Sequence, residues 1–293
     1  MEAPVVAAGA YNTPRYIMNP AIMNPNLYFE RIGYTGSRSP TLQTLRELVS
    51  HHTRSIAFEN LSSLCGETVE LDSAALEDKL LRQGRGGYCF EHNTLLWAVL
   101  LQLQFKVSGL ASRVRWNVPD DEVRPIGHMM LKVMIDSTPC LVDAGFGGMT
   151  LTAPLRLEET GPQSTTHESF RIANEGGRRV LAVKLDEAWK PLYQFEDFEF
   201  LPPDYRAWNW FTCTSPDSPF TRHLMCARPD RDGRHALSDN RYTWRSRTGQ
   251  TESRVLSSAA ELREVLTHQF NIRLPRTDEL DRKLNEIASL PAR

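Results

Sequence analysis

The sequence predicts an α+β fold in three successive parts: a helical first third, a middle third of antiparallel sheet or barrel, and a closing α/β segment. Three observations carry this expectation. Apolar residues recur at helical spacing after Leu27, the period drops to two after Gly109, and mixed helix and hairpin patterns return after Pro202 and Pro203. A chain of 293 residues, 41% of them hydrophobic, is long enough to bury a large core divided among two or three subdomains.

Residues 1–26 carry Pro, Gly, Ala and two copies of Met-Asn-Pro without helical or strand periodicity, which reads as an N-terminal extension. In "SPTLQTLRELVSHH" Ser39 is the expected N-cap, Pro40 the first helical residue, and Leu42, Leu45, Leu48 and Val49 the apolar face. A second helix is expected after Cys89, with Leu96, Val99, Leu100 and Leu103 as its stripe and Gly109 as its stop. The helical part therefore spans residues 27–109.

Between residues 110 and 202, the short runs "SRVRW", "HMMLKVMI" and "PCLVDAGF" are rich in β-branched and apolar residues and are separated by Pro, Asp, Ser and Gly, which predicts antiparallel strands. Residues 203–293 open with the aromatic-rich "YRAWNWFTCTSPDSPF" and pass through a hairpin-like region to Arg247. They then start a helix at "SSAAELREVL", where Ser258 and Glu261 form a capping-box signature. Trp208 and Trp210 in the aromatic run read as core residues.

Thirty-four Lys and Arg against 36 Asp and Glu give a formal net charge of −2, so no general attraction to nucleic acid or anionic membrane is expected. The opening "MEAPVVAAGA" lacks a basic region ahead of its apolar stretch, and nothing elsewhere approaches the roughly 20 apolar residues of a membrane span. A cytoplasmic protein is expected. Five scattered cysteines without CxxC spacing fit neither a disulfide framework nor a four-cysteine zinc site, and most are expected as buried thiols.

In "GRGGYCFEHN", residues 84–93, a glycine-rich turn delivers Cys89 to the start of a helix. First-turn N–H groups carry partial positive charge that favours thiolate over thiol, which makes Cys89 a nucleophile candidate; a lone cysteine is nevertheless more often a buried thiol. A partner base distinguishes the two. His128 and Asp143 flank a tight turn expected near Asp136 and Ser137, and they stand an odd number of positions apart. A hairpin with a two- or four-residue loop would pair them directly, on the same face, so that Asp143 could hold the His128 ring. Cysteine, histidine and carboxylate in that arrangement form the nucleophile, proton carrier and orienting group of cysteine catalysis. His92, three residues after Cys89, invites a metal reading, but no further Cys or His cluster supplies the other ligands, so no metal is expected.

Beyond this constellation, the chain resembles the arylamine N-acetyltransferases. The resemblance rests on "FENL" (Phe58–Leu61), "RGGYCFEHN" (Arg85–Asn93), "HMMLKV" (His128–Val133), "VDAGFGG" (Val142–Gly148) followed by "TAPLRL", and "TSPDSPF" (Thr214–Phe220), in the family's order. It covers the chain from about Leu27 onward. It implies Cys89, His128 and Asp143 as the triad, acetyl-CoA as acetyl donor, and a small aromatic amine, hydrazine or N-hydroxyarylamine as acceptor. It also implies an N-terminal helical bundle, a central antiparallel β-barrel and a C-terminal α/β lid on a papain- and transglutaminase-like cysteine core. Ala57 departs from the family, which often has proline there.

The remaining site residues are weaker readings. Arg85 and Glu59 look like a structural pair, since an arginine desolvated beside a reactive-cysteine turn needs a carboxylate. Gly145, Gly147 and Gly148 would let backbone N–H groups approach a ligand, and the resemblance places them beside the coenzyme A pyrophosphate. Ser215 and Ser218 are turn formers that the family places near the cofactor cleft. Phe58 and Phe146 are candidates for an aromatic substrate pocket, or for ordinary core. Two other functions use the same scaffold: a thiol hydrolase or transglutaminase-like enzyme, with water or a protein amine as acceptor, and a non-catalytic binding protein in which Cys89 is inert. Oligomeric state is not legible.

Overall fold

The structure, a computed structural model, describes residues 23–119 and 121–291. The helical part begins with α1 (Pro25–Ile32). The Asn24 side chain accepts the Asn26 N–H at 3.0 Å, proline occupies the first helical position, and Gly33 closes the helix in the left-handed region at φ 63°. The second Met-Asn-Pro copy, read from the sequence as part of an N-terminal extension, is thus a helix start with Met23 buried ahead of it. The first copy and the rest of residues 1–22 lie outside the described residues.

Helix α2 (Leu42–Ser55) is capped by Thr41 rather than Ser39, because the Thr41 hydroxyl is the group that accepts the Thr44 N–H, at 3.2 Å. A two-residue strand β1 (Phe58–Glu59), a single turn α3 (Leu61–Leu64), and α4 (Ser73–Leu76) running on into a π-helical segment Glu77–Arg82 lead to α5 (Cys89–Gln102). Every residue of α5 from Cys89 to Leu100 is buried, so the helix is the axis of the first core rather than a one-striped surface helix. It stops at Leu103, with Gln104 at φ 65°, well before Gly109. Gly109 lies inside a strand, where a Cβ would come within 2.3 Å of the Tyr205 hydroxyl and 2.9 Å of the Phe200 carbonyl oxygen; its lack of a side chain serves close packing, not helix termination.

Eight strands follow: β2 (Lys106–Val114), β3 (His128–Ile135), β4 (Thr138–Val142), β5 (Leu155–Arg156), β6 (Gln163–Ser164), β7 (Ser169–Glu175), β8 (Arg178–Leu185) and β9 (Ala188–Phe195). They form one antiparallel sheet in the order β5-β4-β3-β2-β9-β8-β7-β6, curled into a nearly closed barrel. Where the two edge strands meet, the Gln163 side chain accepts from the Arg156 N–H at 2.7 Å and donates to the Arg156 carbonyl at 2.9 Å, which stands in for ladder bonds and covers both edges. The barrel is filled by Leu110, Met130, Leu141, Phe170, Leu181, Leu192 and Tyr193.

The last part holds α6 (Pro202–Thr214), α7 (Pro219–Arg222), β10 (Met225–Pro229), β11 (Gly233–Ser238), β12 (Arg241–Ser246), β13 (Thr251–Val255), α8 (Ala259–His268) and α9 (Asp278–Ala288). Its five-stranded sheet runs β1-β10-β11-β12-β13, so β1, from the first third of the chain, forms its edge. Ser258 caps α8 by accepting the Glu261 N–H, while the Glu261 carboxylate reaches back to the Ser257 N–H, one residue before the cap. Trp208 packs against the helical core, but Trp210, expected in the core, is 64% exposed on the outer face of α6. Among the described residues no helix is long and apolar enough to cross a membrane.

Candidate active site

Cys89 enters α5 from a turn that is fixed on both sides. The Gly87 N–H donates to the Ala57 carbonyl at 3.2 Å and the Glu59 N–H donates back to the Gly87 carbonyl at 2.8 Å, pinning the turn to β1. A Cβ on Gly86 would lie 2.1 Å from the Ala57 oxygen, so only glycine permits this approach. Arg85 and Glu59 form the expected pair, Nε to Oε1 at 2.9 Å, both buried. Glu59 also accepts the Gly86 and Leu61 N–H groups. Burial pushes the Glu59 carboxyl up, but Arg85, Lys79 and the Leu61 N–H outweigh it and hold the group below its ordinary range. Arg85 therefore braces the turn.

The hairpin of β3 and β4 turns through Asp136 and Ser137, at φ 47° and 68°, the paired positive values of a two-residue type I′ turn. Its register sets Leu131 opposite Val142. Continuing that register puts Met130, not His128, across from Asp143. The expected direct pairing is thus off by two residues, which preserves the face, and the two side chains meet diagonally: His128 Nε2 donates to Asp143 Oδ2 at 2.7 Å. With Nε2 committed, Nδ1 is the ring nitrogen left for Cys89, whose side chain is near enough to help hold the ring protonated. Cys89, His128 and Asp143 are all buried. Burial pulls the imidazolium down, but Asp143 and the Cys89 side chain outweigh it and lift His128 to about 10. Burial pushes Asp143 up, yet His128, the Gly145 N–H and the Asn93 amide hold it low.

Two residues that the sequence did not mark complete this cluster. Asn93, one helical turn after Cys89, donates to Asp143 Oδ1 at 3.2 Å and to the Met129 carbonyl at 2.8 Å, and accepts the Ala144 N–H at 3.1 Å. Its place four residues after the cysteine, on the same helix face, was the available signal. Tyr193, on β9, lays its ring 5.1 Å from His128 and 5.3 Å from Phe146. It is fully buried with its hydroxyl near Asp143, although among the described residues no partner meets hydrogen-bond geometry. Nothing local in the sequence ties Tyr193 to the site.

The glycines after Asp143 separate into different roles. Gly145 donates its N–H to Asp143 Oδ1 at 3.0 Å, and a Cβ there would lie 2.6 Å from the Cys89 Cα; it packs the loop onto the cysteine and has no N–H to offer a ligand. Gly147, at φ 86°, passes under the Phe58 ring. Gly148 faces open space and is the one of the three left to approach a ligand. Phe146 and Phe58 are half-buried, Phe146 edge-on to His128 at 5.0 Å and Phe58 against Phe220 at 6.2 Å. Ser218 is buried, donating to the Thr212 carbonyl and capping α7, and the Ser215 hydroxyl accepts the Asp217 N–H. Both serines are engaged in turns.

His92 points away from Cys89, into a buried hydrogen-bond chain. The Ala57 carbonyl at its end must accept, which fixes the tautomers. Tyr28 O–H donates to His52 Nδ1 (3.0 Å), His52 Nε2–H to His92 Nδ1 (2.8 Å), and His92 Nε2–H to the Ala57 oxygen (3.1 Å). Burial depresses both histidines, His92 to about 4, so each stays neutral at ordinary pH. Cys89 and His92 therefore do not share a ligand position. Among the described residues no group of three or more His, Cys, Asp or Glu could hold a metal ion.

A cysteine at a helix start, faced by a strand-borne histidine and its carboxylate, across a bundle–barrel junction, defines a class of cysteine-centred transferases and hydrolases. The family model of N-acetyltransferases matches residues 41–279. Arylamine N-acetyltransferase of Mycobacterium tuberculosis is 40% identical over 267 residues, covering 89% of this chain and 94% of that protein. The enzyme of Escherichia coli is 36% identical over 249 residues, 84% of this chain and 88% of the relative. The Mycobacterium marinum arylamine N-acetyltransferase, solved in complex with CoA, superposes with a TM-score of 0.87 at 39% identity, covering 90% of this chain and 99% of that one. The chain belongs to the arylamine N-acetyltransferase family. It is a transferase of the N-acetyltransferase family, which favours the first of the sequence's three readings over a hydrolase, a transglutaminase-like enzyme or a non-catalytic binding protein.

Proposed function

We propose that the protein moves an acetyl group from acetyl-CoA to small aromatic amines or hydrazines by a two-step route through Cys89. The observation that carries this reading is the buried Cys89–His128–Asp143 cluster, with His128 held as the cation by Asp143 at 2.7 Å. In the first step the Cys89 sulfur, as thiolate, attacks the thioester carbonyl; the tetrahedral oxyanion collapses, and CoA leaves as a thiol with the proton carried by His128. One thioester replaces another, so this step has little thermodynamic cost.

In the second step a neutral amine attacks acetyl-Cys89, His128 takes its proton, and Cys89 is released as the amide forms. An aromatic amine is mostly unprotonated at neutral pH and so retains its lone pair. The Cys89 N–H belongs to the first turn of α5, where N–H groups lack intrahelical partners, and it is placed to donate to the oxyanion in both steps. Gly148, with open space above it, is the backbone position we assign beside the CoA pyrophosphate, and Phe146 the ring against which the acceptor stacks.

Initial rates measured over a grid of acetyl-CoA and aromatic amine concentrations test the reading. Parallel double-reciprocal lines are expected of a route through acetyl-Cys89; intersecting lines would mean direct transfer in a ternary complex and would overturn it.

A further inference from the structure

Away from the triad, an open cavity of about 710 Å³ lies between α2 and the barrel segment that includes β5 and β6. Cys89, His128 and Asp143 are not among its lining residues. Three guanidinium groups line it: Arg46 and Arg54, eight residues apart on one face of α2, and Arg156 on β5. None has a carboxylate partner among the described residues, whereas elsewhere on the surface Arg82, Arg115, Arg178, Arg179, Arg245 and Arg263 do.

Arg46 and Arg156 line the same cavity as the buried Cys140 thiol from elements far apart in sequence. Burial pushes that thiol up, and the two arginines act against it. Two carboxylates, Glu47 and Glu159, also line the cavity, and neither is bound to any of the three arginines among the described residues. Glu47 is occupied by the Tyr34 hydroxyl at 3.0 Å and the Gln43 amide at 2.6 Å, and Glu159 is exposed at the rim, with no arginine bound to it among the described residues. The three guanidinium groups outnumber the two carboxylates of the lining, and the planar guanidinium fork suits phosphate oxygens held bidentately. The volume falls within the range of about 300–1,000 Å³ typical of small-molecule sites.

We propose that this cavity is a second ligand site, separate from the acetyl-transfer centre, which binds a phosphorylated small molecule of nucleotide size through Arg46, Arg54 and Arg156. The site stands whether or not Cys89 carries an acetyl group, so it survives or fails independently of the proposed mechanism.

Calorimetric titration of the full-length protein with inorganic pyrophosphate and with ADP, in the presence of saturating CoA to occupy the acetyl-donor site, tests it. Saturable binding of both probes is expected, weakened at least tenfold in Arg46→Gln and in Arg156→Gln and unchanged in Cys89→Ala, while acetyl transfer by the two arginine variants stays at the wild-type rate. These exposed side chains are not part of the core, so the variants should keep the wild-type melting temperature. Absence of saturable binding, binding that saturating CoA abolishes, or binding that persists undiminished in both arginine variants would each overturn the proposal.

Discussion

His128 Nε2 lies 2.7 Å from Asp143 Oδ2, and the two reach each other diagonally across the β3–β4 hairpin rather than as direct partners. A two-residue offset keeps both side chains on one face, and Asn93 and the Gly145 N–H hold the far carboxylate oxygen. Asp143 is thus fixed by the helix that carries Cys89 as well as by its own loop.

Asp143→Asn should therefore lower kcat by on the order of 10³ to 10⁴, because an amide no longer selects the tautomer or supports the imidazolium. It should also destabilise the protein at pH 7 by about 3–5 kcal/mol, the cost of leaving a buried charge unpaired. The folded-state pKa of His128, about 10, lies above its ordinary value of 6.5. The stabilisation that Asp143 gives it is therefore complete below about 6.5 and is lost as pH rises toward 10. Urea midpoints of wild type and variant should differ most near pH 6 and converge toward pH 10; a gap that widens with pH would show that the pair is not the ion pair described.

Gly145→Ala places a methyl group 2.6 Å from the Cys89 Cα and 3.1 Å from the Cys89 carbonyl oxygen, both backbone atoms that have nowhere to yield. A displacement of about 1 Å at the nucleophile is enough to lose roughly 100-fold in rate. Single-turnover acetylation of the variant should show that loss, together with a stability cost of about 1–3 kcal/mol in urea unfolding. Wild-type acetylation kinetics would mean that the loop is slack against α5.

The Tyr28–His52–His92–Ala57 chain can be broken or preserved by choice of residue. His92→Leu removes the acceptor for His52 and one donor to Ala57, at a cost of about 1–3 kcal/mol. His92→Gln supplies one acceptor and one donor and should retain most of the stability. Thermal melts of the two variants read the difference, and equal melting temperatures would show that the chain contributes no net stability.

Phe146 meets His128 edge-on and Tyr193 at 5.3 Å while remaining half-buried, so part of its ring is open to a substrate. Phe146→Ala should raise KM for the aromatic acceptor about tenfold, the worth of one lost stacking contact of roughly 1.5 kcal/mol. The acetylation half-reaction should change less than threefold. An equal loss in both half-reactions would assign Phe146 to holding His128 instead.

Much of the site was legible because its signals are local. The glycine turn ahead of Cys89, the Asp136–Ser137 turn and the Arg85–Glu59 pair depend on residue types that serve few other purposes at those positions. The β3–β4 register was not legible to the residue, since an odd separation of His128 and Asp143 fixes only the face they share, and the two-residue turn falls on Asp136 and Ser137, one residue later than a direct pairing of the two requires. Gly109 misled because a glycine after an apolar helix is usually a stop, whereas here it yields to Tyr205 and Phe200, which lie far along the chain. Tyr193 reaches the triad only through barrel closure. Trp210 is exposed although its neighbour Trp208 is packed, a distinction set by how α6 sits on the helical core.

The most direct test of the account is the intact mass of the protein after incubation with acetyl-CoA alone, with the modified peptide mapped and the sample then chased with an aromatic amine. A single acetyl group on the peptide containing Cys89, lost on the chase with formation of one equivalent of acetylated amine, is the predicted result. An unmodified Cys89 in a preparation that nonetheless acetylates the amine would contradict it.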